Sequence, residues 1–153
     1  MTFMLNWSDA MSVGVGVLDE DHKLILAVAE ALQRALIQRD QDLALAGGDV
    51  LVETCRAHFR REEELLASAT YPDLDEHRLG HTVCLETLDQ MRFDVERGLW
   101  LPAQARLGEV LDLVRHRLLH EDQQYARWLR RHGLVPVYRD LAFAGWETQD
   151  ETV

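Results

Sequence analysis

Five of the seven histidines in this chain, His22, His58, His77, His81 and His116, fall inside stretches whose apolar residues recur at helical spacing. His58 is followed by Glu62 in H-F-R-R-E, and His77 and His81 form H-x-x-x-H. Residues four apart on an α-helix share one face, one turn apart. The feature therefore restricts the chain to a helical fold with imidazoles and carboxylates aimed at a common interior. Such a set suits a metal site, and the number of donors suits two ions.

The rest of the sequence agrees with long helices. Only three prolines and nine glycines occur in 153 residues, and 47% of the residues are hydrophobic. That length supports one domain with a real core. The formal net charge of −11 argues against nucleic acid and anionic membrane surfaces as partners. Cys55 and Cys84 belong to no C-x-x-C motif and read as core thiols in a reducing cytoplasm. The start M-T-F-M-L-N-W-S-D lacks a basic segment followed by an apolar run, so no signal peptide is expected. No run approaches the roughly 18 apolar residues needed to span a membrane.

The periodicity predicts an all-α, up-down-up-down four-helix bundle in a single domain over 1–153. Residues 1–18 form an irregular N-terminal segment, 19–132 the bundle, and 133–153 a C-terminal extension. Asp19 is read as the N-cap of a first helix running from Glu20 to about Arg39. Gly47-Gly48 is read as a break before a second helix over 49–67. Pro72 ends that connection, and a third helix covers 74–96. Gly98 and Pro102 precede a fourth helix, 102–131, closed by Gly133. The extension, with V-P-V-Y and A-F-A-G-W, is apolar enough to pack on the bundle as far as about Trp146.

Imidazole and carboxylate together suit iron, zinc, copper or manganese. Seven candidate ligands exceed the four of a structural zinc site. A carboxylate-bridged pair of six-coordinate ions accommodates them. Five histidines, two bridging carboxylates and an oxide or hydroxide bridge then leave one position open for a small ligand.

Trp7, V-G-V-L-D-E-D-H-K, H-F-R-R-E-E and Y-P-D-L-D-E-H-R-L-G-H, in that order, resemble the motifs of bacterial hemerythrins over about residues 7–130. The resemblance implies two iron ions, oxo- or hydroxo-bridged, that bind O2 reversibly. It implies that His77, His81 and a fourth-helix histidine hold one iron. His22 and His58 hold the other, which keeps the vacancy, and Glu62 bridges. Ile25, Phe59 and Leu113 match positions lining the apolar ligand pocket.

The fourth helix departs from the family's H-x-x-x-x-D. Aligning Asp122 and Tyr125 puts Arg117 at the histidine position; aligning His116 puts Glu121 at the carboxylate position. Arginine has no lone pair to offer a cation. His116 with Glu121 is therefore the preferred pair, because it keeps the five-residue offset. His116 with Asp122 across a local bulge, or a set using His120 or lacking one ligand, stays open. Asp112-Leu113 stands where the family often has Trp-Leu, which leaves the pocket roomier. Glu63 and Glu64 read as solvated or locally paired, and His132 as a helix-end cation with no site role.

Function follows as an expectation: a non-enzymatic, cytoplasmic di-iron protein whose partner is O2 or another small diatomic, for storage, delivery or sensing. The alternative is a di-iron redox enzyme that reduces peroxide or nitric oxide, or oxidises ferrous iron. Ferritin-like oxygen-activating bundles pair Glu with Glu-x-x-His, a motif this histidine-rich set lacks.

Overall fold

The computed structural model describes residues 6–134. A short 3-10 turn (Asp9–Met11) leads into helices α1 (Gly16–Gln38), α2 (Gln41–Ser68), α3 (Leu74–Glu96), α4 (Trp100–Leu119) and α5 (Glu121–Arg131). α1 packs on α2, α2 on α3, α3 on α4, and α4 closes the ring against α1. This is the expected four-helix bundle, with the fourth arm in two pieces. The C-terminal extension expected to pack on it lies at 135–153, outside the described residues.

Each helix is amphipathic, and its apolar stripe makes the core. Ile25, Leu32 and Leu36 of α1 meet Leu51 and Cys55 of α2, Cys84, Leu88 and Met91 of α3, and Leu107 and Val110 of α4. Cys55 and Cys84 are buried free thiols in this cluster. Their mutual hydrogen bond, with burial, pushes the Cys55 thiol far up, so it stays protonated. A second cluster at the other end gathers Leu18, Leu65, Leu66, Tyr71, Tyr125 and Leu129. The buried histidines and Glu62 sit between the two clusters.

Two boundaries differ from the sequence reading. α1 begins at Gly16, so Asp19 lies in its first turn and does not cap a helix starting at Glu20. Its carboxylate accepts from Val13 N–H at 2.9 Å and Ser12 Oγ–H at 2.6 Å, tying the N-terminal segment to the helix. α2 begins at Gln41 and runs straight through Gly47-Gly48. A Cβ on Gly47 would stand 3.4 Å from Leu32 Cδ1, and one on Gly48 3.6 Å from Met91 Cε. Neighbouring helices pack directly on these glycines, and that packing outweighs their low helix propensity.

The start is set instead by Asp40, whose side chain accepts from Leu43 N–H at 3.1 Å. Asp40→Ala is expected to cost about 1 kcal/mol. Chemical denaturation of the variant checks this, and an unchanged midpoint would remove the cap from the account. Gly133 closes the fourth arm as expected, at φ +64° with its N–H donating to the Arg130 carbonyl. Among the described residues no helix is long and apolar enough to cross a membrane.

Candidate metal centre

Four imidazoles from three helices converge on one carboxylate. His22 comes from α1, His58 and Glu62 from α2, and His77 and His81 from α3, all buried. Glu62 Oε2 lies 3.3 Å from His58 Nε2 and 3.8 Å from His22 Nε2. Its Oε1 lies 3.0 Å from His81 Nε2 and in close contact with His77 Nε2. Two three-residue groups that could hold a metal ion thus form around a shared Glu62: His22–His58–Glu62 and Glu62–His77–His81. Tyr125 Oη–H donates to Glu62 Oε2 at 2.9 Å from below.

Asp122 completes the cluster from α5. It is 3% exposed, with Oδ2 at 3.5 Å from His22 Nε2 and Oδ1 at 3.8 Å from His77 Nε2. Asp122 Oδ1 and His22 Nδ1 are buried and have no hydrogen-bond partner among the described residues. Unpartnered polar atoms in so dry a place are rare in folded proteins. A cation between the carboxylates and the imidazoles would satisfy Asp122 Oδ1, so the donor set fits bound metal.

His116 and Glu121 do not join this cluster, against the sequence reading. Their side chains are 61% and 40% exposed and face each other at 3.8 Å on the outside of the fourth arm. His120 is exposed too. The residues that point inward are Arg117 and Asp122, the register in which arginine holds the histidine position. The cause is the apolar stripe of Leu107, Val110, Leu118, Tyr125 and Leu129, which faces the core. At about 100° per residue, His116 falls about half a turn away from Leu107, opposite the stripe. That signal was present in the sequence, but the chemistry of histidine as a ligand outweighed it. The helix also breaks at His120 (φ −127°, ψ −72°), where α4 gives way to α5.

The imidazoles are held from behind by carboxylates that the sequence reading did not assign. His58 Nδ1–H donates to Asp21 Oδ2 at 3.1 Å, and Asp21 in turn accepts from Arg61 Nε–H at 2.8 Å. His81 Nδ1–H donates to Glu63 Oε1 at 2.7 Å, so Glu63 is not merely a solvated acid. Metal-binding histidines ordinarily carry such a partner, which fixes ring and tautomer. No motif announces it: Asp21 and Glu63 are ordinary helix acids until α1, α2 and α3 are packed.

The protonation states follow from this packing. Burial alone would push the His58 pKa down, but the Glu62 charge and bonds to Asp21 and Glu62 raise it to about 9. Burial likewise opposes ionisation of Glu62, yet charged His58 and bonds from His22, His58 and His77 hold it well below the usual range. Burial and then the Glu62 charge push Asp122 well above its usual value. Burial and neighbouring His58 lower His22, leaving it neutral. Tyr125→Phe removes one of the hydrogen bonds fixing Glu62. It is expected to cost about 1–2 kcal/mol in the metal-free protein, read as a lower thermal midpoint; an unchanged midpoint would mean the bond contributes nothing.

Ile25, Phe59 and Leu113 line one small cavity with His22 and His58, about 20 Å³ in volume. The Phe59 ring stacks on His81, with centroids 3.9 Å apart and planes 10° apart. Tyr71 and Trp7 serve packing: Tyr71 sits edge-on to Tyr125, and Trp7 lies against Met11, Leu26 and Leu118.

A family model described as the Hemerythrin HHE cation binding domain matches residues 13–129. The chain is 28% identical to the bacteriohemerythrin of Stenotrophomonas maltophilia (strain R551-3), over 94% of this chain and 92% of that one. It is 24% identical to the bacteriohemerythrin of Clostridium acetobutylicum, over 80% of this chain and 98% of that one. It is 30% identical to the myohemerythrin of Theromyzon tessulatum over 58% of this chain and 69% of that one. With its buried histidines and shared glutamate on a four-helix bundle, the chain belongs to the hemerythrin HHE cation-binding family.

Proposed function

We propose that this protein holds two iron ions between His22, His58, His77, His81, Glu62 and Asp122, and binds O2 reversibly beside His22 and His58. Glu62, common to both donor groups, would be shared by the two ions, and Asp122 would stand in the place expected of Glu121. The observation that carries this reading is the pair of donor groups sharing Glu62, with a small, mostly apolar cavity lined by both His22 and His58 of one group and by His81 of the other. Iron in the ferrous state supplies the electrons and the open position that O2 requires.

The protein's own residues supply selection and shelter. A cavity of about 20 Å³ is close to the space one small molecule needs. Ile25, Phe59 and Leu113 make its wall apolar, which favours an uncharged diatomic over water or an anion. The stacked Phe59 ring also holds His81 in place. The cytoplasm is the compartment proposed for it, since buried Cys55 and Cys84 persist there as thiols.

The test is rapid mixing of the ferrous-loaded protein with O2. A visible charge-transfer band that forms on mixing and disappears under vacuum, over repeated cycles, is the expected result. Prompt, irreversible oxidation, with turnover of peroxide or nitric oxide when either is added, would replace the carrier reading with the redox-enzyme one. Protein that takes up no iron would end both.

A further inference from the structure

The four imidazoles of the cluster are not backed alike: His22 Nδ1 has no partner among the described residues. Behind His58 stands the Asp21 carboxylate, and behind His81 the Glu63 carboxylate, each accepting an Nδ1–H. Behind His77 stands a cation. Arg117 is 7% exposed, and its Nη2–H groups donate to His77 Nδ1 at 3.2 Å and to the His77 carbonyl at 3.1 Å. Its Nη1–H donates to Glu121 Oε2 at 2.8 Å. The guanidinium is seated against α3 at Gly80, one residue before His81: a Cβ on Gly80 would overlap Arg117 Nη1.

Two consequences follow for a cation bound between Glu62, His77 and His81. The fourth arm contributes a guanidinium where it could have contributed a donor, and a guanidinium has no lone pair. Its fixed positive charge stands behind a ligand, in a dry place where charges act strongly. Neither His22 nor His58 hydrogen-bonds a guanidinium.

We infer that Arg117 makes the two cation positions unequal: the His22–His58 half binds its ion tightly, and the His77–His81 half binds its ion weakly and exchanges it. The inference rests on the reading that this cluster holds cations. It also assigns Arg117 a role in setting metal occupancy, since one residue decides whether the chain is filled with one ion or two at a given metal concentration. The cleft of about 280 Å³ lined by Tyr71, Glu76, His77, Gly80, Arg117 and Glu121 gives the weak position a route to solvent.

Cobalt(II) titration of the full, chelator-stripped chain tests this, followed by calorimetry and by the visible bands of the bound ion. The first equivalent is expected to bind about 10- to 100-fold more tightly than the second, the range over which changes behind a ligand act. His58→Gln should remove the tight equivalent, whereas His81→Gln should keep it and remove the weak one. Arg117→His, and Arg117→Met as a neutral partner to it, should tighten the second equivalent and leave the first unchanged. Gly80→Ala, which evicts the guanidinium without altering it, should act like Arg117→Met. Two equal equivalents in the unaltered protein would overturn the inference while leaving the two-ion reading intact. So would folded Arg117 variants whose second equivalent is unchanged. If neither Arg117 variant folds by circular dichroism, the unaltered protein and His81→Gln still decide. Absence of any bound cobalt would overturn both the inference and the proposed cation site.

Discussion

Glu62→Gln is expected to empty both cation positions and to destabilise the metal-free protein. The reason is that every imidazole of the cluster faces this one carboxylate, which is fully buried. The amide keeps the shape but loses the charge that two cations would share. Affinity for both equivalents should fall by more than about 100-fold, beyond what a change behind a ligand produces. Without metal, Glu62 is the buried counter-ion of charged His58. Removing one partner of such a pair costs about 3–5 kcal/mol. In a domain of this size that lowers the thermal midpoint by about 10 °C or more. Metal analysis with calorimetry of the stripped variant checks both parts. Retention of either equivalent at full affinity would show that Glu62 is not shared between two positions. Other substitutions should be more selective, since His58 and His81 each serve only one half.

A second large effect is that pH should act on stability and on metal binding in opposite directions. In the metal-free protein His58 is raised from 6.5 to about 9, so its contribution is fully present below pH 6.5 and is lost as pH rises to about 9. That loss is on the order of 3 kcal/mol. Asp122, raised by burial and the Glu62 charge, adds a loss that begins as pH rises above its usual 3.8. Glu62 works the other way, because its depressed pKa stabilises above its usual 4.5 and is lost only as pH falls. The stripped protein is therefore expected to weaken from pH 6.5 toward pH 9 and, as Glu62 takes up its proton, again in acid.

Metal needs the opposite protonation. His58 must lose the proton on its ligating nitrogen, and Asp122 must lose its acid proton. Filling the His22–His58 position therefore releases protons, and affinity there rises with pH up to about 9. Calorimetry at pH 7 in two buffers of different ionisation enthalpy should show at least about one proton released, that of His58, as the tight position fills. A buffer-independent heat would mean that His58 and Asp122 are already deprotonated in the stripped protein. Stability of the stripped protein that rises from pH 6.5 to 9 would contradict the His58 assignment by a separate route.

Residue spacing alone settles what depends on distance along one helix. Four-residue spacing puts His58 with Glu62 and His77 with His81, whatever the neighbouring helices do. His22 belonged with them because it continues the stripe of Ile25 and Leu32, which must be buried. The same periodicity gave four amphipathic helices and hence a bundle. Sequence reasoning failed where a residue's role depends on rotation or on a partner from another helix. Gly47 and Gly48 looked like a break because helix propensity is local, whereas Leu32 and Met91 supply packing from outside the helix.

The fourth arm shows the limit most plainly. His116 with Glu121 and Arg117 with Asp122 have the same five-residue offset, so spacing could not choose between them. Ligand chemistry favoured the histidine. Tertiary packing chose the arginine, because burying Leu107, Leu118 and Tyr125 together turns His116 to solvent and Asp122 inward. A turn of about 100° on a helix, one residue's worth, is enough to exchange a ligand for a cation. Helical spacing fixed which side chains travel together. Only the packed bundle, through the free energy of burying one apolar stripe rather than another, decided which of them meet at Glu62.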